Sequence, residues 1–155
     1  MTNSLIVPTE PQHWCNNPRH YVKHQQLLQK LVDYLAAKGE VLELPEETPG
    51  HDNGIDLLVG ESRLVVDLKS FWLTDGPRTR TWKSTYHAGN SGRKSTWAGK
   101  ATEIYIHADF NVPVEQWLVC RASDLRMSYT GGAPFYYRNR IQTVGSWYAG
   151  RSAGL

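Results

Sequence analysis

Two apolar runs, residues 55–59 and 63–71, are split by Gly60-Glu61, and this stretch constrains the fold more than any other. Short runs rich in Leu, Val and Ile on either side of a glycine turn bury their side chains most readily by folding back as a β-hairpin. Along the second run, strand periodicity puts Asp67 and Lys69 on one face and sends Val66 and Leu68 to the other, toward the core. The hairpin also carries Asp56, at the start of the first run, toward the end of the second. Two carboxylates and an ammonium are thus expected to meet at one end of a sheet. Charges in an otherwise apolar strand pair must be paired or must hold a metal ion.

The flanking segments supply the rest of a sheet domain. Residues 19–38 repeat Val22, Leu27, Leu28, Leu31, Val32 and Leu35 at helical spacing, with Pro18 as a starter and Gly39 as a stop signal. Residues 40–44 alternate as a short strand that ends at Pro45, and 46–53 read as a polar turn region. Residues 103–107 and 116–121 read as two further strands. Between them and the hairpin, residues 74–101 have no clear period, and loops of such length are often functional. The reading is a single α/β domain: an arm over 1–18, a core over 19–121 and an aromatic, basic C-terminal segment over 122–155. In that segment Ser123-Asp124-Leu125 could cap a short helix, and Tyr136, Tyr137, Arg138, Arg140, Trp147 and Tyr148 could make a phosphate contact or an oligomer interface.

With 155 residues, a chain buries roughly two thirds of its unfolded surface and needs no disulfide staples. No apolar run spans a membrane, and the first ten residues lack the pattern of a signal peptide. Cys15 and Cys120 are expected to be free thiols, and the cytoplasm of a cell or of a phage-infected cell is the expected address.

The net charge of +2 is small, but its distribution is uneven. Nine of the fifteen acids lie between Asp33 and Asp67, with only Lys38 and Arg63 as basic company. Arg78, Arg80, Lys83, Arg93, Lys94 and Lys100 follow, against the single acid Asp75, interleaved with Trp72, Trp82, Tyr86, His87 and Trp97. An acidic centre beside a basic, aromatic loop fits a metal cluster next to a polyanion-binding surface. The blander alternatives are a solvated charge pattern, with the tryptophans closing a small core under the loop.

The trio Asp56, Asp67 and Lys69, with Leu68 between the last two, resembles the signature of the PD-(D/E)xK nuclease superfamily. That signature is an acid at the end of one strand, then Asp or Glu, any residue and Lys on the next. Here the two acids stand eleven residues apart, and the helix and strand before them come in the order that fold uses. The resemblance covers residues 19–121. It implies a restriction-endonuclease-like core, with a central mixed β-sheet, a flanking N-terminal helix and a long basic loop after the catalytic hairpin. It further implies an endonuclease that hydrolyses DNA with Mg2+ or Mn2+ held by Asp56, Asp67 and the Leu68 carbonyl, while Lys69 serves the attacking water or the transition state. RNA is an alternative substrate, and a homodimer or higher homo-oligomer is the natural way for so small a chain to cut both strands.

The sequence departs from the pattern in two places. Ile55 stands where the signature has Pro, and the first helix lacks the Glu that many members carry. His24 or Gln25 is the candidate for that missing role, with His51 and Asp52 as further auxiliary candidates. A zinc site from His13, Cys15, His20 and His24 is a weaker alternative, because no second ligand cluster follows. The rival readings are a nucleic-acid-binding protein that keeps the fold without catalysis, and a protein-interaction module in which the hairpin charges are ion pairs.

Overall fold

The computed structural model describes residues 5–11, 18–45, 55–67, 72–74, 104–121, 126–127, 134–137 and 140–153. Helix α1 spans Pro18–Ala36. Proline suits the first turn because its missing N–H would have no helical partner there. The helix ends where Gly39 enters the left-handed region at φ 88°. The Gly39 N–H bonds the Ala36 carbonyl at 2.9 Å and the Glu40 N–H bonds the Leu35 carbonyl at 3.2 Å. This closing turn needs a residue without Cβ, so the stop signal acts as the sequence implies.

Strands β1 (Leu42–Glu43), β2 (Leu57–Val59), β3 (Ser62–Asp67), β5 (Ile104–His107), β6 (Leu118–Arg121) and β9 (Gln142–Thr143) form one sheet in the order β1-β2-β3-β5-β6-β9. All neighbours are antiparallel except β3 and β5, which run parallel. A second sheet joins β4 (Trp72–Thr74), β8 (Pro134–Tyr137) and β7 (Arg126–Met127) in the order β4-β8-β7. The architecture is α/β, with a mixed sheet and two helices among the described residues. No helix among them is long and apolar enough to cross a membrane.

The hairpin forms as expected, with Val59 opposite Ser62 across Gly60-Glu61 and Gly60 at φ 58°. Its first strand is shorter than the sequence suggests. The first begins at Leu57 rather than Ile55, and Asp56 sits in the bend before it. The second is described as far as Asp67, residues 68–71 lie outside the described residues, and 72–74 pair in the other sheet. Likewise only Leu42–Glu43 of 40–44 pairs, although Leu42 and Leu44 turn inward while Val41 and Glu43 turn out.

One face of the large sheet is set by alternation. Leu64 and Val66 of β3, Leu57 and Val59 of β2, Ile106 of β5 and Val119 of β6 pack with Leu27, Leu28, Leu31, Val32 and Leu35 of α1. Leu27, Leu31, Val32 and Leu35 are all fully buried. Each such side chain contributes about 1.5–3 kcal/mol on removal from water. Trp117 joins the core, and its indole N–H donates to the carbonyls of Asp109 at 2.8 Å and Val112 at 3.2 Å.

The C-terminal segment holds a helix that the sequence does not announce. Helix α2 spans Val144–Ala153, contains Gly145 and Gly150, and packs Val144, Trp147 and Tyr148 on the core. Specific polar contacts hold it as well. The Thr143 hydroxyl caps it by accepting from the Ser146 N–H at 3.1 Å, and the Val144 N–H bonds the Trp117 carbonyl at 2.8 Å. At its far end Arg151 donates to the Ser62 hydroxyl at 2.8 Å and to the Val59 carbonyl at 3.1 Å, and lies 3.4 Å from Glu40. Tyr148 donates to the same Glu40 carboxylate at 2.9 Å. Helix α2 thereby pins the turn of the hairpin. The possible cap at Ser123-Asp124-Leu125 lies outside the described residues.

Candidate functional site

Strand β3 outruns its antiparallel partner. Pairing with β2 stops at Leu57 opposite Leu64, while pairing with β5 continues to Asp67. Past that point the peptide groups of β3 on the β2 side need other partners, because an unpaired buried N–H or C=O costs about 1–3 kcal/mol. Asp56 and His24 provide them. The Asp56 N–H still bonds the Leu64 carbonyl at 2.8 Å, and its carboxylate Oδ2 turns to accept from the Val66 N–H at 2.8 Å. His24 Nε2 donates to the Val66 carbonyl at 2.9 Å and stands 3.5 Å from Asp56 Oδ2.

The buried stripe of α1 explains why a histidine reaches this point. Leu35, Leu31 and Leu28 repeat at helical spacing, and one turn further up the position is His24, then His20. The stripe changes from leucine to histidine where the sheet beneath it runs out of paired backbone.

The charge on His24 follows from its neighbours. Gln25 is the one buried polar side chain among the described residues, at 5% exposure. Its amide nitrogen donates to the Pro8 carbonyl at 2.8 Å and to the Tyr21 hydroxyl at 3.3 Å. A carbonyl only accepts, so Pro8 fixes which end of the amide is nitrogen, and Gln25 Oε1 faces His24 Nδ1 at 2.8 Å. Both ring nitrogens of His24 therefore face acceptors, Gln25 Oε1 and the Val66 carbonyl, and both carry hydrogen. Burial alone would lower the imidazole pKa. The charge and hydrogen bonding of Asp56, with the bonds to Gln25 and Val66, outweigh it and raise the value from 6.5 to about 9. His24 is a cation at neutral pH.

His24 and Gln25, the candidates for the role of the missing helix acid, both lie in the hydrogen-bond network beside Asp56. Both His24 nitrogens and the Gln25 amide are engaged in hydrogen bonds, to the Val66 carbonyl, to Pro8 and Tyr21, and to each other. Gln25 positions the His24 ring, and His24 borders the Asp56 carboxylate. Of the residues in the alternative zinc reading, His13 and Cys15 lie outside the described residues. Cys120 is buried on β6.

Asp67 ends β3, one residue beyond Val66, and in the parallel register it stands beside His107 at the end of β5. The sequence pattern marked residues 103–107 as a strand but gave no sign that its terminal histidine would neighbour Asp67, because a parallel partner is not set by a local turn. Leu68, Lys69, His51 and Asp52 lie outside the described residues, as do Arg78, Arg80, Lys83, Arg93, Lys94 and Lys100 of the basic loop.

The Asp56 side chain keeps 24% of its surface exposed and borders a cavity of about 240 Å³ lined by Pro8, Gln25, Leu28, Leu44 and Pro45. Among the described residues no three metal-binding side chains cluster. Asp56 does have the donor chemistry for a hard divalent cation, an accessible carboxylate close in sequence and space to the backbone of a second one. Comparison with known protein families, with curated proteins and with solved structures finds no match.

Proposed function

We propose that the chain is a divalent-metal-dependent endonuclease with a restriction-endonuclease-like core, acting on phosphodiester bonds of DNA. The observation that carries this reading is the 2.8 Å bond from the Val66 N–H to Asp56 Oδ2, which draws one carboxylate to within a residue of the strand position of Asp67. A hairpin that ends in two acids, followed two residues later by Lys69, is the arrangement such hydrolysis needs. Helix α1 packed on the hairpin and the parallel strand β5 beside β3 agree with the mixed sheet that this fold implies.

In this reading Asp56, Asp67 and the Leu68 carbonyl would hold Mg2+ or Mn2+, all hard oxygen donors. The bound ion would supply an acidified water and Lewis acidity toward a phosphoryl oxygen. Lys69 orients the attacking water or offsets charge on the phosphorane-like transition state. His24 and Gln25 hold the Asp56 carboxylate in place through the bonds described above, and the Arg and Lys residues of 78–100 grip the substrate. Cutting both strands would use a homodimer with paired sites.

A second reading is favoured by one contact. The His24 imidazolium lies 3.5 Å from Asp56 and already offsets part of its charge, so the chain could bind nucleic acid without cutting it. Plasmid cleavage with Mg2+ separates the two. The nuclease reading expects nicking by the wild type and loss of nicking in both Asp67→Ala and Lys69→Ala. No cleavage by the wild type, or cleavage that survives both changes, would overturn it. Gel-shift binding without cleavage would support the second reading, and no binding at low salt would leave a protein-interaction module.

A further inference from the structure

Arg19 and Lys23 are both exposed on α1, four residues apart, which sets them about 6 Å apart along the axis on one side of the helix. Like charges at this spacing disfavour a helix slightly. The first turn holds no acid, and the helix's one acid, Asp33, lies at its far end, where it bonds Gln29 at 2.9 Å. Neither Arg19 nor Lys23 makes an ion pair among the described residues. The next residue after Lys23 is His24, whose Nε2 stands 3.5 Å from Asp56 Oδ2. Two basic side chains therefore stand on the first two turns of α1, whose His24 reaches the sheet end that carries Asp56 and Asp67.

A pair of carboxylates repels a polyanion, so a site that admits a phosphodiester strand needs flanking cations to hold it there. The side chains at 19 and 23 suit phosphates in particular, since guanidinium pairs with phosphate oxygens bidentately and ammonium binds them as a point charge. We propose that the first two turns of α1 are a phosphate-gripping surface, in which Arg19 and Lys23 contact the backbone of a nucleic-acid strand next to Asp56. This inference rests on the nuclease reading and adds a contact surface separate from the basic loop of 78–100.

Salt dependence tests it. Binding of a short DNA duplex is measured over a range of salt concentrations, with a chelator present so that nothing is cut. Each phosphate contact contributes about 0.9 to the slope of log K against log salt, so the Arg19→Ala/Lys23→Ala variant is expected to lose about 1.8 of the wild-type slope. With a single strand the expected loss is about 1.4. Lys30→Ala is the control: Lys30 lies on the same exposed side, two turns further on and three residues from Asp33, and its removal should leave the slope unchanged. A double variant with the wild-type slope would overturn the phosphate surface and leave the nuclease reading standing. Equal binding of the wild type to poly-glutamate of matched charge would also overturn it, in favour of an acidic protein partner. A wild type that binds no nucleic acid at any salt concentration would instead remove the nuclease reading, and this surface with it.

Discussion

Raising the pH through 9 should strip the proton from His24 and cost the chain much of its stability. In the folded state the imidazole pKa is raised from 6.5 to about 9. A group whose folded pKa lies above its unfolded value gives stability that is whole below pH 6.5 and is lost as pH climbs through about 9. The difference corresponds to about 3 kcal/mol, at about 1.36 kcal/mol per pH unit. That is a large share of the roughly 5–15 kcal/mol that holds a typical domain folded. The structural cause is specific: deprotonation leaves one ring nitrogen facing an acceptor, Gln25 Oε1 or the Val66 carbonyl, and removes the charge 3.5 Å from Asp56. His24→Gln keeps an N–H for Val66 but cannot titrate, so it serves as the reference. Urea denaturation of both proteins from pH 6 to pH 10 gives a stability difference from which other titrating groups cancel. This difference should fall by about 3 kcal/mol across the interval. NMR of the His24 ring should show a midpoint near 9. A midpoint at or below 6.5, or a stability difference that does not change with pH, would refute the assignment of His24 as a cation.

Three further outcomes follow from the contacts that position the site. Arg151→Ala removes the bonds to Ser62 and Val59 and the pairing with Glu40, and should lower the urea-measured stability by about 1.5–3 kcal/mol. Gly60→Ala places a Cβ in the left-handed region at φ 58° and 3.2 Å from Arg151 Nη2, so a loss of about 1–2 kcal/mol is expected in the same assay. Gln29 bonds the N-terminal arm at both ends of its amide, accepting from the Val7 N–H at 2.7 Å and donating to the Leu5 carbonyl at 2.9 Å. Gln29→Ala should release Val7, and hydrogen exchange at the Val7 amide should accelerate while amides of β3 keep their protection.

Much of the fold is written in local pattern. The leucine spacing of α1, its stop at Gly39, the two-residue turn of the hairpin and the inward alternation of Leu64 and Val66 are short-range properties. Helical and strand periods and glycine's freedom at positive φ act within a few residues, so the sequence by itself determined these elements and the face each one buries. It also put His24 on the buried stripe of a helix, a visible sign that the position is unusual. What it could not determine is the partner of each exposed backbone or charged group. The parallel pairing that sets Asp67 beside His107 joins segments forty residues apart without a turn to register them. The bond from His24 to Val66 spans 42 residues, and that from Arg151 to Val59 spans 92. A helix such as α2, with two glycines, is stabilised by its docking contacts more than by its own propensity. The trio of Asp56, Asp67 and Lys69 was legible as a pattern, because alternation along one strand is local. That Asp56 turns back to cap the overhanging end of β3, under a protonated histidine oriented by Gln25 and the Pro8 carbonyl, was decided only when the arm, the helix and the hairpin were brought together.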